Sequence, residues 1–163
     1  MKGNKTNNDW NKNHNKHYIL KIGTEDINNQ EITINKILEA YQSVLLKVDI
    51  EGDEYKILDQ ILDNSKKINT LIIEFHDIHK NLNKIEDFVI KSKELKLIHI
   101  HANNFAGSNK DGDPNVIELT FINIKNNDLN LKKTNKSFPI NGLDYKNTHR
   151  KEDFLLKFND WKN

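Results

Sequence analysis

The chain has 163 residues, enough for one domain with a sizeable core. A net charge of +1 with 30% charged residues gives no basic surface for nucleic acid or anionic membrane. Cysteine does not occur, which excludes a disulfide framework, a thiolate metal site and a cysteine nucleophile.

Residues 1–16 are polar, rich in Asn and Lys and poor in large apolar groups, and are expected to be disordered. They hold no apolar signal core, and no later run approaches membrane-spanning length, so a cytoplasmic protein is expected. Tyr18 to Ile22 reads as a short strand closed by Gly23. Thr33 is placed to cap a helix over 34–42, whose Ile34, Ile37, Leu38 and Tyr41 share a face. A strand over 45–50 follows, and then a helix over 53–63. Thr70 to His76 is a second buried strand, and a helix over 82–95 turns Leu82, Ile85, Phe88, Val89 and Leu95 inward. Leu97 to His101 is a third strand and Val116 to Ile124 a fourth, with a loop from Ala102 to Asn115 between them.

Strands alternating with helices imply an α/β fold built on a parallel sheet. The connection 102–115 has no helix, so the last two strands should be antiparallel neighbours. The expected organisation is a polar N-terminus (1–16), an α/β domain (17–125) and an irregular tail (126–163) packed on it. Phe138, Leu143, Tyr145, Phe154, Leu155 and Phe158 are available to pin the tail.

A buried parallel strand normally reads as uninterrupted apolar residues. Here each strand carries polar groups on one parity: Lys47, Asp49 and Glu51; Glu74 and His76; His99 and His101; Glu118 and Thr120. In the first three strands these lie at or near the carboxyl end. Glu118 lies early in the reversed fourth strand, which brings it to the same edge. The loop Ala102-Asn103-Asn104-Phe105 hangs over that edge, where open α/β sheets place their ligands. His76 and His101 are candidate bases, because imidazole titrates near neutrality. Asp49 and Glu51 are further candidates for the chemistry, with Glu74, Asn103, Asn104 and Glu118 for holding a substrate. His99, in mid-strand, reads as structural.

Other motifs fail. The six glycines are scattered, so no phosphate-cradling loop exists. Gly107 to Glu118 imitates the end of a calcium loop but lacks the first acid, contains Pro114 and is flanked by strands. No spacing demands a metal, although Asp49, Glu74 and His101 could place a divalent cation.

The segment Leu46-Lys47-Val48-Asp49-Ile50-Glu51-Gly52-Asp53-Glu54 resembles the signature of the FkbM family of S-adenosylmethionine-dependent methyltransferases. The resemblance begins near Ile32 to Leu38. It continues through Ile73-Glu74-Phe75-His76, His99 to Asn104, Pro114 to Thr120 and Phe138 to Asn147. It implies a partial Rossmann-like methyltransferase sheet, with parallel strands, a terminal antiparallel strand and helices packed on the sheet. It also implies S-adenosylmethionine as cofactor and a sugar or small-metabolite hydroxyl as methyl acceptor. The glycine-rich turn with which the family holds this cofactor has no counterpart here, and no cofactor-binding residue is assigned.

In the family fold, the strand 45–50 has a neighbour on each side. Residues 18–22, a second copy or a separate N-terminal half is therefore expected to cover its open edge. Two alternatives to an O-methyltransferase stand beside it. One is a non-catalytic half-domain that binds a ligand or pairs with another chain. The other is a metal-dependent hydrolase using His76, His101 and the acids.

Overall fold

The computed structural model of the chain describes residues 19–127, 129–132, 134 and 136–157. The expectations for residues 1–16, Tyr18 and Phe158 lie outside them. The described chain forms an α/β domain around a four-stranded mixed sheet. Before this sheet come β1 (Lys21–Ile22), β2 (Glu31–Ile32) and α1 (Ile34–Leu38). The sheet then takes β3 (Val44–Val48), β4 (Ile68–Phe75), β5 (Leu95–Ala102) and β6 (Ile117–Asn123). Its order is β3-β4-β6-β5. β3 and β4 are parallel, and β6 runs against both β4 and β5. The short 102–117 connection enforces that reversal.

One face of the sheet is apolar and packs on α2 (Leu58–Asp63) and α3 (Ile78–Lys91). Leu71, Ile73 and Phe75 of β4 stand beside Phe121, Leu119 and Ile117 of β6 in register. All six are buried. Phe88 of α3 locks onto this row, with ring centroids 6.5 Å from Phe75 and 5.5 Å from Phe121. Edge-on ring pairs of this kind are favourable beyond the area they bury.

β5 reaches the same packing through a bulge. Leu97 pairs with Phe121 but His99 with Thr120, so Ile98 is the extra residue. Leu95 and Leu97 therefore join the core, while His99 and His101 turn to the other face. Simple alternation would have put all four on one side.

The elements differ from the sequence expectations at several ends. The first helix stops at Leu38 rather than 42, leaving Tyr41 exposed. The expected helix 53–63 is a 3₁₀ turn (Glu54–Lys56) followed by α2. The expected helix 82–95 is α3, four residues earlier, because Asp77 adopts a left-handed conformation that starts it at Ile78. Leu82 is then exposed and Leu95 belongs to β5.

The expected pairing of residues 18–22 with the 45–50 strand does not occur among the described residues. β1 pairs instead with β2. Gln60 holds this unit on α2, accepting from the Ile34 amide and donating to the Gly23 carbonyl. Lys21 reaches Asp53 at 3.1 Å. β3 thus pairs only with β4 among the described residues.

β7 (Ser137–Phe138) and β8 (Leu156–Lys157) form a small hairpin-like pair in the tail. The tail is pinned by fewer apolar groups than expected. Phe138 is buried and Phe154 packs on the core, whereas Leu143, Tyr145 and Leu155 are exposed. Polar anchors do the rest: Asn104 donates to the Thr148 and Lys151 carbonyls and accepts from the Thr148 amide. Among the described residues, no helix is long and apolar enough to cross a membrane.

Candidate functional site

The site is organised by the turn that leaves β3. Glu51 and Gly52 have φ of 56° and 105°, both in the left-handed region. Nothing lies within 4 Å of a Cβ added at Gly52, so glycine is favoured there by backbone conformation and not by space. This turn aims amide groups inward at one carboxylate, Glu54, which is fully buried. Glu54 accepts from the Ile50 amide at 3.0 Å and the Gly52 amide at 3.1 Å. It also meets Nδ1 of His76 at 3.1 Å. An ionised carboxylate can only accept, so Nδ1 is the donor of this pair and Nε2 is the nitrogen that faces outward.

His76 is held from a second side. The Tyr55 hydroxyl donates to the His76 carbonyl. Burial, reinforced by the charges of Glu54 and Asp77, raises the Tyr55 phenol well above its ordinary pKa, so it remains a donor. Nε2 of His76 points to the rim, 3.4 Å from Glu51.

The sheet register assembles the rest. Glu74 stands opposite Glu118, and Glu118 opposite His101, so one row crosses β4, β6 and β5. Asp49 lies just beyond β3 at the same edge. Donor atoms of Asp49, Glu74 and His76 all lie within 4.8 Å of one another. The cation set suggested by the sequence, Asp49, Glu74 and His101, is therefore not the one assembled. His76 takes the place of His101, which lies across the sheet on β5. Asn103 steadies Glu74, its Nδ2 donating to Oε1 at 3.0 Å.

Lys47 reaches over from β3 to Glu118 at 3.2 Å. That hydrogen bond, helped by the charges of Glu118, Asp49 and Glu74, raises the Lys47 pKa against the opposing effect of burial. The rim is nevertheless strongly acidic, with Asp49, Glu51, Glu74 and Glu118 facing one lysine.

The remaining expected residues serve elsewhere. Asn104 is buried and spent on the tail, which removes it from the rim. His101 faces an adjoining hollow of about 380 Å³ shared with His99, Glu118, Thr120 and Asp144, and its buried Nε2 makes no hydrogen bond but lies 3.9 Å from Asp153. His99 is structural as expected, but it is held by the tail: Nε2 lies 2.7 Å from Asp144 and the ring packs edge-on against Phe138. Sequence reasoning missed Glu54 and Tyr55 as supports of His76. The signal was an acid following a glycine turn and opening an apolar helical run, a pattern that usually marks only a helix start.

An α/β sheet with acids and a histidine gathered at the carboxyl rim has the layout in which open-sheet domains place their ligands. The family model described as "Methyltransferase FkbM domain" matches residues 3–123, well over half of the chain. The chain belongs to the FkbM methyltransferase family, and its domain is a methyltransferase domain. No curated protein and no solved structure matches it.

Proposed function

We propose that the protein is an O-methyltransferase of the FkbM type, with the Asp49–Glu74–His76 rim as the place where a hydroxyl acceptor is held and activated. The observation that carries this reading is the arrangement around His76. A fully buried carboxylate holds the His76 ring at Nδ1, a phenol holds the backbone carbonyl of the same residue, and Nε2 faces the acidic rim. Fixing a histidine through its ring and its backbone lowers the reorganisation needed when it acts. Forming an ether from a hydroxyl requires the O–H proton to leave, so the chain must make that oxygen more nucleophilic. His76 is the residue on which this activation depends. Asp49, Glu74 and Asn103 hold the acceptor's hydroxyls, and a sugar or other small polyol is the acceptor class that suits several acceptor groups along one edge. Glu51 lies close enough to Nε2 to take part, and His101 and Glu118 extend the same row.

The sheet order, with β6 inserted against β4 and β5, accords with a Rossmann-like methyltransferase sheet. Family membership supports S-adenosylmethionine as the methyl donor. The described residues do not fit its usual cradle. They contain no glycine-rich turn at a strand end, and a Cβ at Gly23 would strike the Glu31 side chain at 1.9 Å. What the chain contributes is therefore derived from the rim alone. A cytoplasmic location belongs to the same reading.

The test is transfer of a labelled methyl group from S-adenosylmethionine to a panel of sugars and small alcohols. An alkali-stable product is expected, because an ether survives base and an ester does not. His76→Gln should abolish at least about 99% of the transfer, the lower end of what general acid–base groups contribute. Full activity in that variant would remove the assignment.

A second reading is favoured by one observation, the one-sided pairing of β3. In it the chain is a half-domain that pairs along β3 with another chain and does not catalyse alone. Calorimetry with S-adenosylmethionine separates the two. Saturable binding by the lone chain supports the enzyme, and silence supports the half-domain.

A further inference from the structure

We propose that Asp49, Glu74 and His76 form a binding site for a first-row divalent cation. The inference rests on the rim being the functional site and specifies how His76 works there. Three donors bound to one ion at about 2.0–2.2 Å can lie no more than roughly 4.4 Å apart. The three here lie within 4.8 Å, so a few tenths of an ångström of side-chain movement closes the set. Asp49 is exposed at the end of β3 and can supply that movement.

The second observation lies behind the ring. Histidines that bind metals commonly give their other ring N–H to a carboxylate, which fixes the tautomer and raises the basicity of the ligating nitrogen. Glu54 does this to Nδ1 of His76 from a fully buried position, leaving Nε2 for the ion. Asn103 plays the corresponding part for Glu74.

Two carboxylates and one imidazole favour manganese or zinc over calcium, which prefers six to eight oxygen donors. An ion seated on Nε2 breaks the 3.4 Å contact between His76 and Glu51. It also withdraws charge from a hydroxyl oxygen that reaches it and lowers that hydroxyl's pKa.

The experiment is titration of the purified chain with manganese(II), following loss of the free-ion electron paramagnetic resonance signal. One ion per chain is expected, undisplaced by an equal concentration of calcium. Asp49→Asn and His76→Gln should each weaken binding by more than about tenfold, and Glu54→Gln by about 10- to 100-fold, with unchanged far-ultraviolet circular dichroism. Asp49→Asn is the critical variant, because that side chain is exposed and its loss spares the fold.

No saturable binding up to millimolar manganese, or binding unaltered in Asp49→Asn and His76→Gln, overturns the proposal. The methyl-transfer assay fails independently. Manganese held at the triad without transfer to any hydroxyl retains the cation site and removes the proposed function. Transfer by a chain that binds no manganese does the reverse.

Discussion

Glu54 shows how one buried carboxylate can organise a site. Its oxygens satisfy two backbone amides of the turn and the His76 ring at once, so its burial is compensated. Glu54→Ala removes all of these acceptors and leaves three partly buried donors without them. It is expected to destabilise the chain by about 2–4 kcal/mol, measured by urea unfolding, since each orphaned buried donor costs about 1–3 kcal/mol. Glu54→Gln keeps the shape and an acceptor oxygen, so its loss of stability should be less than half of that. Equal losses in the two variants would show that charge, and not satisfaction of the amides, holds the turn. Asn104 is a second case in which a polar residue is structural. Asn104→Ala should leave the rim intact and free the segment around Thr148 and Lys151, read as faster limited proteolysis there. Unchanged cleavage would mean that Phe138 and Phe154 suffice to hold the tail.

At the level of elements, α3 and the β5 bulge decide which side chains face the helices and which face the second side of the sheet. Phe88 joins α3 to β4 and β6 through two ring contacts, so Phe88→Ala should cost about 3–5 kcal/mol in thermal or urea unfolding. A loss below 1 kcal/mol would mean that the helix is held by its other contacts. The bulge makes a sharper demand. Without Ile98, the residues 95–97 and 99–101 would share a continuous alternation. Leu95 and Leu97 would then keep the core face and the two histidines the other, as they have now. Deletion of Ile98 is therefore expected to leave the chain folded, whereas one further residue inserted after Leu97 without a matching bulge would exchange the faces; Ile98→Ala, an exposed truncation, should lower the melting temperature by less than about 3 °C. A deletion variant that fails to fold would show that the bulge itself, and not only the faces it sets, is required.

For the whole molecule, the helices cover one face of the sheet, and β3 has a hydrogen-bonded neighbour on one side among the described residues. Leu45 is about two-thirds exposed beside that edge. Apolar edge strands of this kind invite pairing, and a lysine placed on them discourages it. Leu45→Lys is accordingly expected to shift light-scattering mass toward the monomer, or to weaken capture of a partner half, without lowering stability. An unaltered mass for a chain that associates would place the contact elsewhere.

Much of this architecture was legible in the sequence because it depends on local chemistry. Apolar runs located all four strands of the main sheet, and the helix-free 102–115 connection dictated the reversal of β6. The acids after β3 and the histidine after β4 marked the rim, and the Leu46 to Glu54 signature pointed to the family. The helix ends were less legible. Asp77 adopts a left-handed turn that its side chain merely tolerates, and the start of α3 at Ile78 is fixed by a hydrogen bond from its amide to the distant Asn115 carbonyl.

What the sequence by itself determined, then, was the alternation of strands and helices, the edge that carries the polar groups and the family. These follow from hydrophobic periodicity, loop length and a local motif, all properties of adjacent residues. The tertiary structure alone decided which histidine joins Asp49 and Glu74, and that Asn104 belongs to the tail. It also decided that β1 turns to β2 instead of β3. Each outcome depends on register and on partners 22 to 44 positions away: Glu54 behind His76, Phe121 opposite Leu97, Thr148 against Asn104 and Gln60 under Gly23. A one-residue bulge moves a side chain to the opposite face without any signal in the local pattern.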